Sequence, residues 1–102
     1  MTEESREFRA QIDARQMLTG MVERANQTIN QLMDGNPIGA LIRTRALESD
    51  LVEIEKLLVA SLHGNPRFSR SARGVSWSDI GGWLGITKQA AQQKFGGFVN
   101  RY

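Results

Sequence analysis

The chain has 102 residues, a formal net charge of +2, one histidine and no cysteine. Its length suits one domain with a modest core. The missing cysteines exclude disulfides and thiolate zinc sites, and a single histidine excludes most metal centres and catalytic triads. We therefore expect no metal ion, no cofactor and no enzymatic activity.

The N-terminal segment Met1–Glu7 is acidic and polar, which is not the pattern of a signal peptide. No apolar run approaches the ~20 residues that a membrane span needs. These features favour a cytoplasmic protein that makes no membrane contact.

The two ends of the chain differ in charge. Residues 1–62 carry seven Lys/Arg and ten Asp/Glu, a net −3, whereas residues 63–102 carry six Lys/Arg and one acid, a net +5. Positive charge concentrated in the C-terminal part is what a polyanion-binding surface requires. The alternative is a chance clustering of surface charge.

A long helix is predicted from about Ser5 to Met33, because this stretch contains good helix formers and no proline. Asp34 and Gly35 end it, since glycine takes the left-handed C-cap conformation without strain. Its apolar residues recur at spacings of four and three, which places them in one stripe. The stripe consists of Leu18, Val22, Ala25, Ile29 and Leu32.

A second helix is predicted from Asn36 and Pro37, which suit an N-cap and a first helical position, to about His63, a solvated end residue. Each helix has ~26 residues and a length of ~39 Å. The short connection makes them antiparallel neighbours, so residues 1–63 are predicted to form a helical hairpin. The stripe of the second helix consists of Leu47, Leu51, Ile54, Leu58 and Leu62.

Further apolar residues beside these stripes need a partner. We expect some of them to cover the C-terminal helices and some to meet a second copy of the chain, so homodimerisation is the favoured interpretation. A different protein partner for the hairpin is the alternative. These residues are Met17, Met21, Met33, Leu41, Ile42 and Leu57.

Residues 64–75 form a basic connector with three arginines and no acid, Arg67, Arg70 and Arg73. They either share one face of a short helix begun at Asn65 and Pro66 or lie on a flexible loop or arm. Arginines of this kind contact phosphates, which raises affinity without reading sequence. A solvated linker is the alternative.

Residues 76–102 are predicted to form two short helices. Ser76 is a good N-cap, and Asp79 completes a capping box. Val75 and Ile80 occupy the two positions of a hydrophobic staple. Gly85 ends the first helix and Thr87 caps the second, which we expect to break at Gly96 and Gly97. The expected core of the unit is Ile80, Gly81, Leu84, Gly85, Ile86, Ala91 and Phe95.

The second of these helices is predicted to expose amides and lysines and contains no acid. Glutamine can bond to adenine through two hydrogen bonds, and each such pair discriminates by ~1–3 kcal/mol. The exposed set is Lys88, Gln89, Gln92, Gln93 and Lys94.

The segment SWSDIGGWLGITKQAAQQKFG, within about residues 75–97, resembles the helix-turn-helix of bacterial DNA-binding proteins. It is most similar to sigma-factor region 4 and to small actinobacterial regulators. The resemblance implies that Thr87, Lys88 and Gln89 begin a recognition helix. The chain departs from it at Lys94, where many members bury an aliphatic residue, and in its arginine-rich connector.

The resulting prediction is an all-α, sequence-specific DNA-binding protein that is nucleoid-associated and regulates transcription as a homodimer. Its alternatives are an architectural or phage-type accessory protein that binds DNA, and an adaptor that retains the helix-turn-helix for packing. Bases would be read by Thr87, Lys88, Gln89, Gln92 and Gln93. The DNA backbone would be contacted by Arg67, Arg70, Arg73, Ser76 and Lys94.

Overall fold

A computed structural model describes residues 5–102, and apart from an isolated β-bridge between His63 and Val75 all regular structure within this range is helical. The first four residues of the acidic N-terminus lie outside the described part. The predicted all-α class is confirmed, with a long helical hairpin followed by a C-terminal helix-turn-helix. The four α-helices are α1 (Arg6–Met33), α2 (Pro37–Leu62), α3 (Trp77–Leu84) and α4 (Lys88–Arg101).

The hairpin begins and turns where the capping residues predict. The Ser5 hydroxyl accepts the Phe8 N–H at 3.0 Å, and the Asn36 side-chain oxygen accepts the Gly39 N–H at 3.0 Å. Gly35 between the helices has φ +75°, a conformation that suits glycine. Both predicted long helices are therefore confirmed to within one or two residues.

The face of α1 that packs against the rest of the protein differs from the predicted stripe. Ala10 and Ala14 are buried, whereas Leu18 and Val22 are exposed, as are Ile29 and Leu32. The small alanines leave room on this face for the aromatic end of α4 as well as for α2. The apolar stripe of α1 is consequently left open on an adjacent face.

The prediction for α2 is also corrected. Of its stripe only Ile54 is buried, while Leu51 and Leu58 are exposed. Leu57, which was expected to need a partner, is buried with Ile54 and Ala14. Phe98 and Tyr102 of the C-terminal region, together with Met17 and Met21, pack against this cluster.

The C-terminal helices share their main core with the hairpin rather than forming a core of their own. The Arg6 guanidinium donates to the Val99 carbonyl at 3.4 Å, and the Tyr102 hydroxyl donates to the Asp13 carboxylate. These contacts fix the end of α4 against the start of α1. The buried members of the shared core are Ala10, Val59, Ala60, Val75, Ile80, Ala91, Phe95 and Val99.

The connector is neither a regular helix nor a free arm. A 3-10 turn spans Pro66–Phe68 only. The Gly64 N–H donates to the Val75 carbonyl at 2.8 Å, so the ends of the connector are held together. Gly74 has φ +82°, and a Cβ there would lie 2.2 Å from the Gly64 carbonyl carbon. The arginines therefore lie on a closed loop whose base is anchored to the end of α2.

Candidate nucleic-acid interface

The start of α3 is fixed by a reciprocal capping box. The Ser76 hydroxyl accepts the Asp79 N–H at 3.1 Å, and the Asp79 carboxylate accepts the Ser76 N–H at 3.0 Å. Val75 and Ile80, the predicted staple residues, are both buried in the shared core. The predicted helix start is thus confirmed, and Ser76 has a structural role whatever else it contacts.

A tight turn sets the placement of α4 relative to α3. Gly85 is left-handed at φ +71°, and the Ile86 N–H donates to the Gly81 carbonyl at 2.9 Å, as in a Schellman motif. A Cβ on Gly81 would lie 2.7 Å from the Ile86 carbonyl oxygen. The Thr87 hydroxyl then accepts the Ala90 N–H at 3.1 Å and caps α4. This turn is held by backbone hydrogen bonds and close packing.

Three of the predicted core residues of this unit, Leu84, Gly85 and Ile86, are not buried. Leu84 and Ile86 retain 40% and 37% of their surface. The core beneath α3 is filled by Ile80, Phe95 and Val75, so the last turn of α3 projects past it. Leu84 lines a groove against α2 instead.

The predicted break at Gly96 and Gly97 is wrong, because α4 continues to Arg101. Each glycine costs a helix about 1 kcal/mol relative to alanine. Here Gly96 and Val99 are buried, and Phe98 between them packs against the core. This packing offsets the low helix propensity of the two glycines.

The outward face of α4 is polar and free of acids. Gln89, Gln93 and Asn100 lie opposite the buried residues Ala91 and Phe95 on a helix of 3.6 residues per turn. Gln92 flanks this row, whereas Lys88 lies in the first turn about 120° away from it; both are exposed, as is the capping residue Thr87. The structure therefore places all of the predicted base-reading residues on accessible positions of one helix or its cap.

Asn100 and Arg101 are exposed on the same helix but are not among the residues predicted from the sequence. The predicted break at Gly96 and Gly97 ends the helix before these two polar residues, so they are not predicted as part of it. The spacing of four from Ala91 through Phe95 to Val99 was a signal that the helix continues.

Lys94 lies on a different side of α4 from Gln89 and Gln93. It follows Gln93 and is rotated from it by about 100° around the helix. Its Nζ lies 3.1 Å from Glu55 Oε1 of α2, across a partly exposed ion pair. In the free protein this side chain therefore joins α4 to the hairpin.

The connector arginines are all exposed, but they do not form one row. Arg70 and Arg73 line a depression of about 590 Å³ together with Trp83 and the capping-box residues Ser76 and Asp79. Arg67 instead lies with its guanidinium carbon 6.0 Å from the centre of the Phe68 ring. Two of the three predicted phosphate contacts are thus brought to the start of α3.

His63 joins the hairpin to the C-terminal unit. Its ring stacks on Trp77 with the ring centres 4.2 Å apart, a contact the sequence did not predict. Burial of the imidazole, and secondarily the positive charge of Arg6, lowers the pKa of His63 below its usual 6.5. The junction therefore favours the neutral form of the ring.

No family model, curated protein or solved structure matches this chain. The structure contains no grouping of three or more potential metal ligands within residues 5–102. In the same range, no helix has the length and apolarity to cross a membrane. The assignment of function therefore depends on the arrangement of the α3–α4 unit and the charges around it.

Proposed function

We propose that this protein is a non-enzymatic, sequence-specific DNA-binding protein that acts as a homodimeric transcriptional regulator. The observation that carries this proposal is the outward face of α4, where amides are exposed and no acid is present, with Lys88 exposed at the start of the helix. An α-helix fits the major groove of B-DNA, and exposed amides supply the donors and acceptors that read base edges. A generic solvated helix would mix acids with these side chains.

In the proposed complex, α4 reads bases from the major groove through Gln89 and Gln93, with Thr87, Gln92 and Asn100 beside them. Lys88 lies in the first turn of α4, where its charge opposes the helix dipole. A nearby phosphate offsets that cost, so the lysine is better placed in the complex than in the free protein.

The connector loop would supply affinity rather than sequence reading. Arg70 and Arg73 lie beside the α3 cap on a loop without acids, and the one acid that lines their depression, Asp79, accepts the Ser76 N–H in the capping box. Each phosphate that such side chains neutralise releases counterions, which makes binding depend steeply on salt. A single α4 makes few base contacts, so two units on half-sites about 34 Å apart would give the required specificity.

The proposal is tested first by selecting genomic DNA fragments that the purified protein binds at near-physiological salt. Fluorescence anisotropy on a selected site then compares Lys88→Glu with Arg45→Glu, an equal charge reversal on the exposed surface of α2. We expect Lys88→Glu to weaken binding at least 100-fold and Arg45→Glu to change it less than threefold. Equal effects of the two substitutions would contradict the proposed interface.

Base reading is tested separately with Gln89→Ala and Gln93→Ala. Each lost pair of hydrogen bonds should reduce discrimination between the selected site and a variant site by about 1–3 kcal/mol, with little change in nonspecific affinity. Unchanged discrimination in both variants would show that α4 does not read the bases.

The acid-free arginine loop also favours a second candidate, an architectural protein that binds DNA with little sequence preference. Selection would then recover no common site, while binding would still fall steeply with salt. An adaptor role is distinguished by a third result, the absence of DNA affinity even at low salt.

A further inference from the structure

One side of the hairpin exposes a continuous apolar surface, here named the bare face. Leu18, Val22 and Leu58 line one shallow depression on it. Leu18 and Leu58 also line an adjoining groove of about 590 Å³ that reaches Trp83 and Leu84 of α3. The large exposed members of the bare face are Leu18, Val22, Ile29, Leu32, Leu51, Leu58, Trp83 and Leu84.

The opposite side of the hairpin is polar. There Arg24 pairs with Asp50 at 2.7 Å, and Arg43 donates to the Gln27 side chain at 2.7 Å. Leu41, Ile42 and Val52 of α2 are also exposed, but they are rotated away from the bare face and do not continue the α1 stripe. An exposed apolar row shared by two adjacent helices, as on the bare face, is typical of an interface.

The bare face has the spacing of a helix-bundle seam. In α1, Leu18, Val22, Ala25, Ile29 and Leu32 alternate by four and three residues, which is the heptad pattern. In α2, Leu47, Leu51, Ile54 and Leu58 follow the same pattern. Only Ile54 of these leucines and isoleucines is buried within the chain. Two hairpins stacked through such seams make a four-helix bundle.

The α1 stripe also has an internal symmetry. Leu18 and Leu32 each lie seven residues from Ala25, and Val22 and Ile29 lie on either side of it. A two-fold interface brings the same surface together from both copies, so a stripe that is similar in both directions suits an antiparallel crossing centred on Ala25. The small side chain at the centre lets the two backbones approach.

The groove next to α3 favours the same orientation. If the two hairpins ran in the same direction, the two grooves would face each other and remain unfilled. In the antiparallel arrangement, Leu32 of the partner lies two heptads, or about 21 Å, from the partner's Leu18. Because Leu18 and Leu32 each lie seven residues from the crossing point at Ala25, the partner's Leu32 meets Leu18 of the first copy, at the mouth of the groove.

The footprint is large enough for a stable dimer. Two helices of ~39 Å lying ~9 Å apart present a surface on the order of 700 Å². A standard interface buries about 800 Å² on each partner, and homodimer interfaces are more apolar than average. We propose that two copies of this chain pack antiparallel through the bare face as a four-helix bundle, each placing the Leu32 end of α1 against the groove of the other.

This inference assigns a surface and an orientation to the homodimer of the proposed function, and it is tested without DNA. Its failure is thus distinguishable from a failure of DNA binding. Sedimentation equilibrium should give a dimer for the native chain at micromolar concentration. A native chain that stays monomeric at about 100 µM would overturn it.

The surface is tested with Val22→Glu on the bare face and Gln16→Glu on the polar side as the matched control, both at exposed positions. Val22→Glu should raise the dimer dissociation constant at least 100-fold, with an unchanged circular dichroism spectrum, while Gln16→Glu remains dimeric. A dimer that survives Val22→Glu, or that is lost equally in both variants, would overturn the assignment.

The orientation is tested by disulfide cross-linking, which the absence of native cysteine makes unambiguous. An oxidised mixture of Leu18→Cys and Leu32→Cys should give a cross-linked dimer, because an antiparallel bundle brings these positions together. Each variant oxidised alone should not. A mixture of Leu18→Cys and Leu51→Cys would cross-link only if the hairpins ran in the same direction, and that result would overturn the antiparallel arrangement.

Discussion

The hairpin and the C-terminal unit distribute their apolar residues in opposite ways. In the unit, Ile80, Ala91 and Phe95 face a closed core and the amides of α4 face outward. In the hairpin, the regular stripe that includes Val22 and Leu51 faces outward, and small residues such as Ala14 occupy the packed face. The first pattern suits a solvent-exposed surface that binds a polyanion, whereas the second suits a surface that packs against another protein.

The largest expected contrast between the regions comes from truncating one apolar side chain in each. Phe95 is fully buried, so Phe95→Ala should lower the free energy of unfolding by about 3–5 kcal/mol. Val22 is 64% exposed in the single chain. Val22→Ala should therefore change the free energy of unfolding by less than about 0.5 kcal/mol when the protein is monomeric. Urea denaturation at a concentration below the dimer dissociation constant provides the measurement.

The same pair of variants can be compared at high protein concentration. If the hairpin is covered by a second copy, Val22→Ala should then become destabilising, because association adds to the stability of the folded state. If Val22→Ala lowered the free energy of unfolding as much as Phe95→Ala under monomeric conditions, the exposure of the bare face would be contradicted.

The starts of the helices follow from local signals and are therefore predictable. Caps at Ser5, Asn36, Ser76 and Thr87 lie where hydroxyl and amide side chains precede helical stretches. The left-handed glycine Gly85 marks the turn before α4 in the same way. Each of these features depends on a few neighbouring residues, which the sequence displays directly.

The choice of packing face depended on distant residues and was not predictable in the same way. Helical periodicity shows that α1 has an apolar stripe, but it does not say whether that stripe meets α2 or another chain. The aromatic end of α4 packs beside Ala14, and this long-range contact determines which face of α1 is buried. The exposure of Leu84 and the continuity of α4 through Gly96 have the same origin, since both depend on which surfaces the tertiary structure covers.

A smaller effect should separate two neighbouring glycines of α3. A Cβ on Gly81 would lie 2.7 Å from the Ile86 backbone oxygen, whereas a Cβ on Gly82 meets nothing within 4 Å. Gly81→Ala should therefore destabilise the protein by about 1–3 kcal/mol through overpacking. Gly82→Ala should stabilise it by up to about 1 kcal/mol through helix propensity.

Thermal unfolding of the two variants and the native chain gives this comparison directly. If Gly81→Ala were as stable as Gly82→Ala, the close approach of the α3–α4 turn would be refuted. Loss of DNA binding in Gly81→Ala with retained binding in Gly82→Ala would further link this turn to the placement of α4.

The smallest expected effect is a pH dependence at the junction of the two regions, where His63 stacks on Trp77. Burial of the imidazole, with the charge of Arg6 as the second cause, lowers the pKa of His63 in the folded chain below 6.5. Between the lowered pKa and 6.5 the unfolded chain binds more protons than the folded one. The free energy of unfolding therefore falls as the pH drops below about 6.5, where the unfolded histidine titrates.

Urea denaturation of the native chain and of His63→Gln at pH 7.5, 6.0 and 5.0 isolates this contribution, because the carboxylates titrate equally in both proteins. The stability difference between the two should shrink or reverse on acidification, since only the native chain must keep a neutral imidazole against Trp77. A difference that stays constant over this range would mean that His63 titrates alike in the folded and unfolded chains. A difference that grows on acidification would mean that the folded junction prefers the charged ring, and that the burial of His63 is not what determines its protonation.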